Sequence, residues 1–217
     1  MLNFHYISEG LDGTTPCMRW VEFFDGCRGV FKPWDAYSFE SELAYSKVAE
    51  FFGVEVSKCV KVDGGFVSLQ SYNKRMAQIP AYELPFDFCL IEFAKHVPET
   101  VLAQLISVMY IDAICNHTDR HEGNLSFLED ARGNIVSLCP VYDNCNCFGN
   151  SYGRQSLFPP DVSKVWYHRD VFQWLGKACP FIAEWNSRYI SKEFEVHVKN
   201  LYYGEWILEN RGYLVGV

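Results

Sequence analysis

The sequence predicts an α+β fold, with a small β-rich N-terminal part carrying one helix and a mostly helical remainder. Three patterns carry that expectation. Apolar runs flank Gly-containing turns at DGCRG and DGG, as the strands of antiparallel hairpins do. Between the two hairpins, SFESELAYSKVAEFFGV has helical periodicity and stops at a glycine. Further on, PETVLAQLISVMYIDAIC is long and apolar enough for a buried helix.

Composition bounds the function. At 217 residues, 49% hydrophobic and 17% aromatic, the chain can bury a substantial core and fits one domain or one two-lobed unit. A net charge of -8 and a pI near 5.2 disfavour nucleic acid or an anionic membrane as the main partner, so a protein or small molecule is favoured. No apolar run approaches the roughly 20 residues that span a bilayer, and MLNFHYISEGLDG lacks the features of a signal peptide, so a cytoplasmic location is expected. Nine cysteines, scattered through apolar segments, read as reduced core thiols. Cys139, Cys145 and Cys147 in CPVYDNCNC offer a zinc reading, but without paired C-x-x-C units ordinary buried thiols explain them better.

The elements follow in order. MRWVEFFDGCRGVFKP reads as a hairpin that delivers Lys32 at a strand end. In the helix that follows, Phe39, Leu43, Tyr45, Val48 and Phe52 recur at helical intervals, Gly53 ends it, and Ser38 or Ser41 caps its start. SKCVKVDGGFVSLQ reads as two more strands. Ser71 to Pro85, polar and interrupted by Pro80 and Pro85, is the expected connection between lobes. The Pro98 to Cys115 helix leads into the polar loop NHTDRHEGN, then a hairpin in LSFLEDARGNIVSLCPVYD. Helices near 168 to 179 and 191 to 211 complete the chain, in an aromatic-rich region read as scaffold.

Phosphoryl transfer needs cations at the phosphates, carboxylates that hold magnesium and a group that orients the acceptor hydroxyl. Asp119 and Asn124 share one polar loop, where one can meet the acceptor while the other binds metal, and Asp143 beyond the hairpin can return as a second ligand. An Asp and an Asn at this spacing are otherwise ordinary turn formers. Lys32 reads equally as a solvated edge lysine, and Glu42 as a residue favouring its helix dipole or as a partner that aims Lys32 at phosphates.

VFKP, FESELAYSKVAEFFGV, NHTDRHEGNLSFL and CPVYDN, in this order and spacing, resemble the blocks of the HipA-like serine/threonine protein kinase family, over roughly residues 20 to 150. The family's Lys before a Glu-bearing helix that ends in a Gly turn falls on Lys32, Glu42 and Gly53; its Asp-Arg-His-x-x-Asn loop falls on Asp119, Arg120, His121 and Asn124; its Tyr-Asp falls on Tyr142 and Asp143. The resemblance implies a two-lobed protein-kinase-like fold, with an N-lobe over residues 1–72 and a C-lobe over 73–217. It implies ATP and Mg2+ as ligands and transfer to Ser or Thr of a protein. By position, Asp119 would orient or deprotonate the acceptor, Asn124 and Asp143 would hold magnesium, and Lys32 would contact the phosphates. Arg120 and His121 would brace the loop or take part in transfer, and Gln70, with Ser71 and Tyr72, would meet adenine.

Family-suggested partners are an aminoacyl-tRNA synthetase or translation factor as substrate, and a DNA-binding antitoxin. Family toxins engage the antitoxin partly through an N-terminal β-rich subdomain, whereas 31 residues precede Lys32 here. SEGLDGTTP lacks a G-x-G-x-x-G fingerprint but offers backbone amides to cover phosphates, and its Thr14 and Thr15 are candidate autophosphorylation sites. A nucleotide-binding interaction module without transfer activity and a small-molecule kinase are the competing readings.

Overall fold

The computed structural model describes residues 4–6, 18–70, 76–85, 93, 95–149 and 181–210. The first hairpin pairs β2 (Arg19–Phe23) with β3 (Arg28–Pro33). Its turn is set by Gly26 at φ 81 and by Asp25 Oδ1, which accepts from the Cys27 N–H at 2.9 Å. β1 (Phe4–Tyr6) adds outside β2, and β5 (Gly65–Gln70) and β4 (Cys59–Val62) complete a five-stranded antiparallel sheet in the order β1-β2-β3-β5-β4. Alternation along the strands turns Val21, Phe23, Phe31 and Val67 to one face, where they form a small separate core.

Between β3 and β4 runs α1 (Ala36–Phe52). Its cap is Asp35, whose carboxylate accepts from the Tyr37 and Ser38 N–H groups, so neither Ser38 nor Ser41 caps the helix as the sequence suggested. Ser38 instead bonds Asp35, and Ser41 lies a turn inside, fully buried. Gly53, left-handed at φ 75, ends the helix as expected.

α1 packs its inner face, Tyr45, Val48, Ala49 and Phe52, into the larger core with α2 (Glu99–Cys115). Three C-terminal helices close that core: α3 (Phe181–Tyr189), α4 (Lys192–Val198) and α5 (Gly204–Glu209). The single helix expected over 191–211 is therefore broken between α4 and α5. A Cβ on Gly204 would lie 2.2 Å from the Val198 carbonyl oxygen, so the close turn there requires glycine. The helix expected near 168–179, together with Thr14 and Thr15, lies outside the described residues.

A second sheet, β6-β7-β8, joins β6 (Ala77–Pro80) to the hairpin of β7 (Ser126–Glu129) and β8 (Ile135–Leu138). Part of the expected connection is thus a strand. Pro80 is tolerated because β6 is an edge and the proline is its last residue. Among the described residues no helix is long and apolar enough to cross a membrane.

Candidate active site

Lys32, the fifth residue of β3, is 6% exposed and lies opposite Phe66 of β5. Its Nζ donates to Glu42 Oε1 of α1 at 3.0 Å and to Asp143 Oδ1 at 2.6 Å, joining sheet, helix and the segment after β8. Burial alone would lower the Lys32 pKa, but the Asp143 and Glu42 carboxylates more than offset it and hold the ammonium well above its ordinary value. Burial would likewise raise Asp143, yet Lys32 keeps its carboxyl far below the usual carboxylate range. The pair is ionised at neutral pH.

Asp143 is delivered by a clamped backbone. The Val141 N–H donates to the Glu55 carbonyl at 3.0 Å and the Ser57 N–H donates to the Val141 carbonyl at 2.8 Å, pinning the approach to the segment after α1. Asp143 itself is left-handed, φ 58, a conformation that Asp tolerates better than most side chains. Its carbonyl faces His117 Nε2 at 3.2 Å. Because His117 Nδ1 accepts from the Asp119 N–H at 3.2 Å, the ring proton sits on Nε2, which donates to Asp143. Burial, then Arg120, pushes the His117 pKa down to about 4, consistent with this neutral ring.

The loop after α2 is held from several sides. Asn124 Nδ2 donates to the Asp119 carbonyl at 2.8 Å, and Asn146 Nδ2 donates to Asp119 Oδ2 at 2.9 Å. His121 Nδ1 accepts from the Gly123 N–H at 3.0 Å and so braces the turn. Asp119 Oδ1 is buried without a hydrogen-bond partner among the described residues. Asn124 Oδ1 and Asp143 Oδ2 also receive no hydrogen bond from described residues, since Asn124 commits its Nδ2 and Asp143 its Oδ1.

Arg120 is fully buried and anchors the loop. It donates to both Asp112 carboxylate oxygens at 3.0 Å, to the Tyr142 carbonyl at 2.9 Å and to Asn144 Oδ1 at 2.6 Å. Tyr45 completes the cluster, its hydroxyl donating to Asp112 Oδ1 at 2.8 Å. A buried guanidinium in this setting acts through geometry, and removing either ionic partner would strand the other.

Two chemistries suit this donor set. Uncommitted carboxylate and carboxamide oxygens suit a hard cation, and a buried, unpartnered carboxylate oxygen suits a hydroxyl proton. A soft metal does not fit. Glu42, Asp143 and Cys145 form the one group of potential ligands gathered among the described residues, but Lys32 sits on both carboxylates. The Cys145 thiol, pushed up first by burial, donates to Asp143 Oδ1 at 3.3 Å as a neutral SH. Cys139 and Cys147 do not join it: both are buried.

Of the residues singled out from sequence, Lys32, Glu42 and Asp143 meet directly, and Asp119, Arg120, His121 and Asn124 share the adjoining loop. Gln70 closes β5 opposite Arg28, four positions along the strand from Phe66, and Ser71 and Tyr72 lie outside the described residues. Sequence reasoning missed Asp112, Asn144 and Asn146, and gave His117 no role. Asp112 did leave a signal: a lone carboxylate in the apolar run VMYIDAIC demands a buried cation.

No protein-family model matches this sequence, and no curated protein matches it. Among solved structures, a Helicobacter pylori proinflammatory kinase, CtkA, is similar, with a TM-score of 0.61 over 96% of this chain and 91% of that one. Sequence identity is 14%, so the likeness is one of fold: an α+β, protein-kinase-like architecture.

Proposed function

We propose that this protein is a HipA-like serine/threonine protein kinase that transfers the γ-phosphoryl group of Mg-ATP to a protein hydroxyl. The observation that carries the reading is the Lys32 ammonium bonded at once to Glu42 and Asp143, beside a loop that holds a buried Asp119 oxygen without a hydrogen-bond partner among the described residues. The similarity in fold to a kinase supports it.

In this reading Glu42 orients Lys32, and Lys32 contacts the nucleotide phosphates. Asp143, through Oδ2, and Asn124, through Oδ1, would hold magnesium. When bound, magnesium neutralises phosphate charge. Asp119 orients the acceptor hydroxyl and takes its proton at Oδ1 as the new oxygen–phosphorus bond forms and the bond to the β-phosphate oxygen breaks, releasing ADP. Arg120 and His121 keep the loop in place. Gln70, at the exit of the sheet, is a candidate contact for the base. A component of translation, an aminoacyl-tRNA synthetase or a translation factor, is the proposed class of substrate, an antitoxin is a candidate partner, and the cytoplasm is the proposed location.

The test is label transfer from γ-labelled Mg-ATP to the protein itself or to a host lysate. Asp119→Asn is expected to lose about 100- to 10,000-fold in rate while still binding ATP. Asp143→Ala should also weaken magnesium-dependent ATP binding. Equal and small effects of the two substitutions would overturn the assignment.

A further inference from the structure

Asn144 has no part in the scheme above, yet its side chain joins the two halves of that scheme. It is fully buried. Its Nδ2 donates to Glu42 Oε2 at 3.1 Å, its Oδ1 accepts from Arg120 Nη2 at 2.6 Å, and its backbone carbonyl accepts from Ser41 Oγ at 3.0 Å. Glu42 therefore keeps one oxygen on Lys32 and the other on Asn144. Arg120, on the far side, reaches the Asn124 carbonyl at 3.3 Å and the Tyr142 carbonyl at 2.9 Å.

We propose that Asn144 is a positioning residue for phosphoryl transfer, holding the Glu42 carboxylate against Lys32 and locking that pair to the Arg120-braced loop that carries Asp119 and Asn124. The proposal rests on the kinase reading. The position demands an amide. It lies between an anion and a cation in a space closed to water, so one side chain must donate to the first and accept from the second. An aspartate there would still accept from Arg120 but would set a second carboxylate against Glu42. A leucine would leave Glu42 Oε2 and an Arg120 N–H without their partner.

The test exchanges the two groups. Asn144→Asp and Glu42→Gln are made singly and together; in the double variant amide and carboxylate have changed places, the hydrogen bond between them runs in the opposite direction, and net charge is unchanged. Two properties of the full chain are followed. One is kcat and KM for ATP in phosphoryl transfer; the other, without nucleotide, is the rate at which trinitrobenzenesulfonate modifies Lys32, followed by peptide mass spectrometry.

Asn144→Asp is expected to lower kcat about 10- to 100-fold with a smaller change in KM, and to speed Lys32 modification. Adding Glu42→Gln should recover about tenfold in kcat and should speed Lys32 modification less than Glu42→Gln does alone. A folded double variant whose two effects simply multiply in both measurements overturns the proposal. If Asn144→Asp alone does not fold, recovery of a folded protein by Glu42→Gln supports the coupling and failure to recover overturns it. If the wild type transfers no phosphate, the kinase reading falls, and the Lys32 modification series decides the positioning claim by itself.

Discussion

His117 shows how one side chain carries both geometry and pH dependence. Its Nδ1 takes the Asp119 N–H and its Nε2 gives a proton to the Asp143 carbonyl, so only the neutral ring serves both. The folded pKa of about 4 lies below the ordinary 6.5. The unfolded chain thus binds a proton as pH falls past 6.5, and the folded protein only near 4. The His117 contribution is intact above 6.5 and declines toward 4, by about 3 kcal/mol in all. Urea midpoints at pH 7, 5.5 and 4.5 should fall accordingly, and His117→Gln should flatten the decline; an unchanged slope in the variant would assign it elsewhere. None of this was visible in NHTDRHEGN, where His117 is one of two histidines in a polar loop. Asp119, Asn124 and Asp143 could be singled out because phosphoryl transfer, the activity we propose, calls for those residue types in that order. Asn144 and Asn146 were not, because the place of an amide inside the fold is chosen by partners up to 102 residues away.

Neighbouring glycines show what an element tolerates. Gly64, in the β4–β5 turn, has φ 75 and open space around a would-be Cβ, whereas a Cβ on Gly65 would lie 2.1 Å from the Lys32 carbonyl oxygen. Gly64→Ala should cost about 1 kcal/mol of backbone strain and leave the rate of transfer near that of the wild type. Gly65→Ala must part β3 from β5 beside Lys32, at about 1–3 kcal/mol, and should lower ATP affinity as well. Thermal melts and ATP titrations of both variants distinguish the cases; equal losses of affinity would contradict the geometry. The three hairpins and the two long helices were legible because period and glycine turns agreed. β6 was not: AQIP becomes a strand only through β7, about fifty residues on. The break between α4 and α5 was hidden because apolar and aromatic residues continue through the turn at Leu201, Tyr202 and Tyr203.

Across the whole molecule, α1 belongs energetically with the larger core, while the five-stranded sheet relies on the four-residue cluster of Val21, Phe23, Phe31 and Val67. The sheet has the smaller core of its own. Separation of Lys32 from Glu42 should therefore come from movement of β3 rather than of α1, whose Phe51 is also covered by Arg188. Amide hydrogen exchange should be faster in β2 and β3 than in the central turns of α1 and α2, and equal protection would contradict this division. The Lys32–Asp143 contact spans 111 positions of sequence, and Asn146, which grips Asp119, lies further still. During synthesis the sheet and α1 therefore leave the ribosome long before the segment that completes the site. A nascent or prematurely terminated chain ending before Asn146 would lack both the grip on Asp119 and the helices that close the core on α1, so site and core would be left incomplete together.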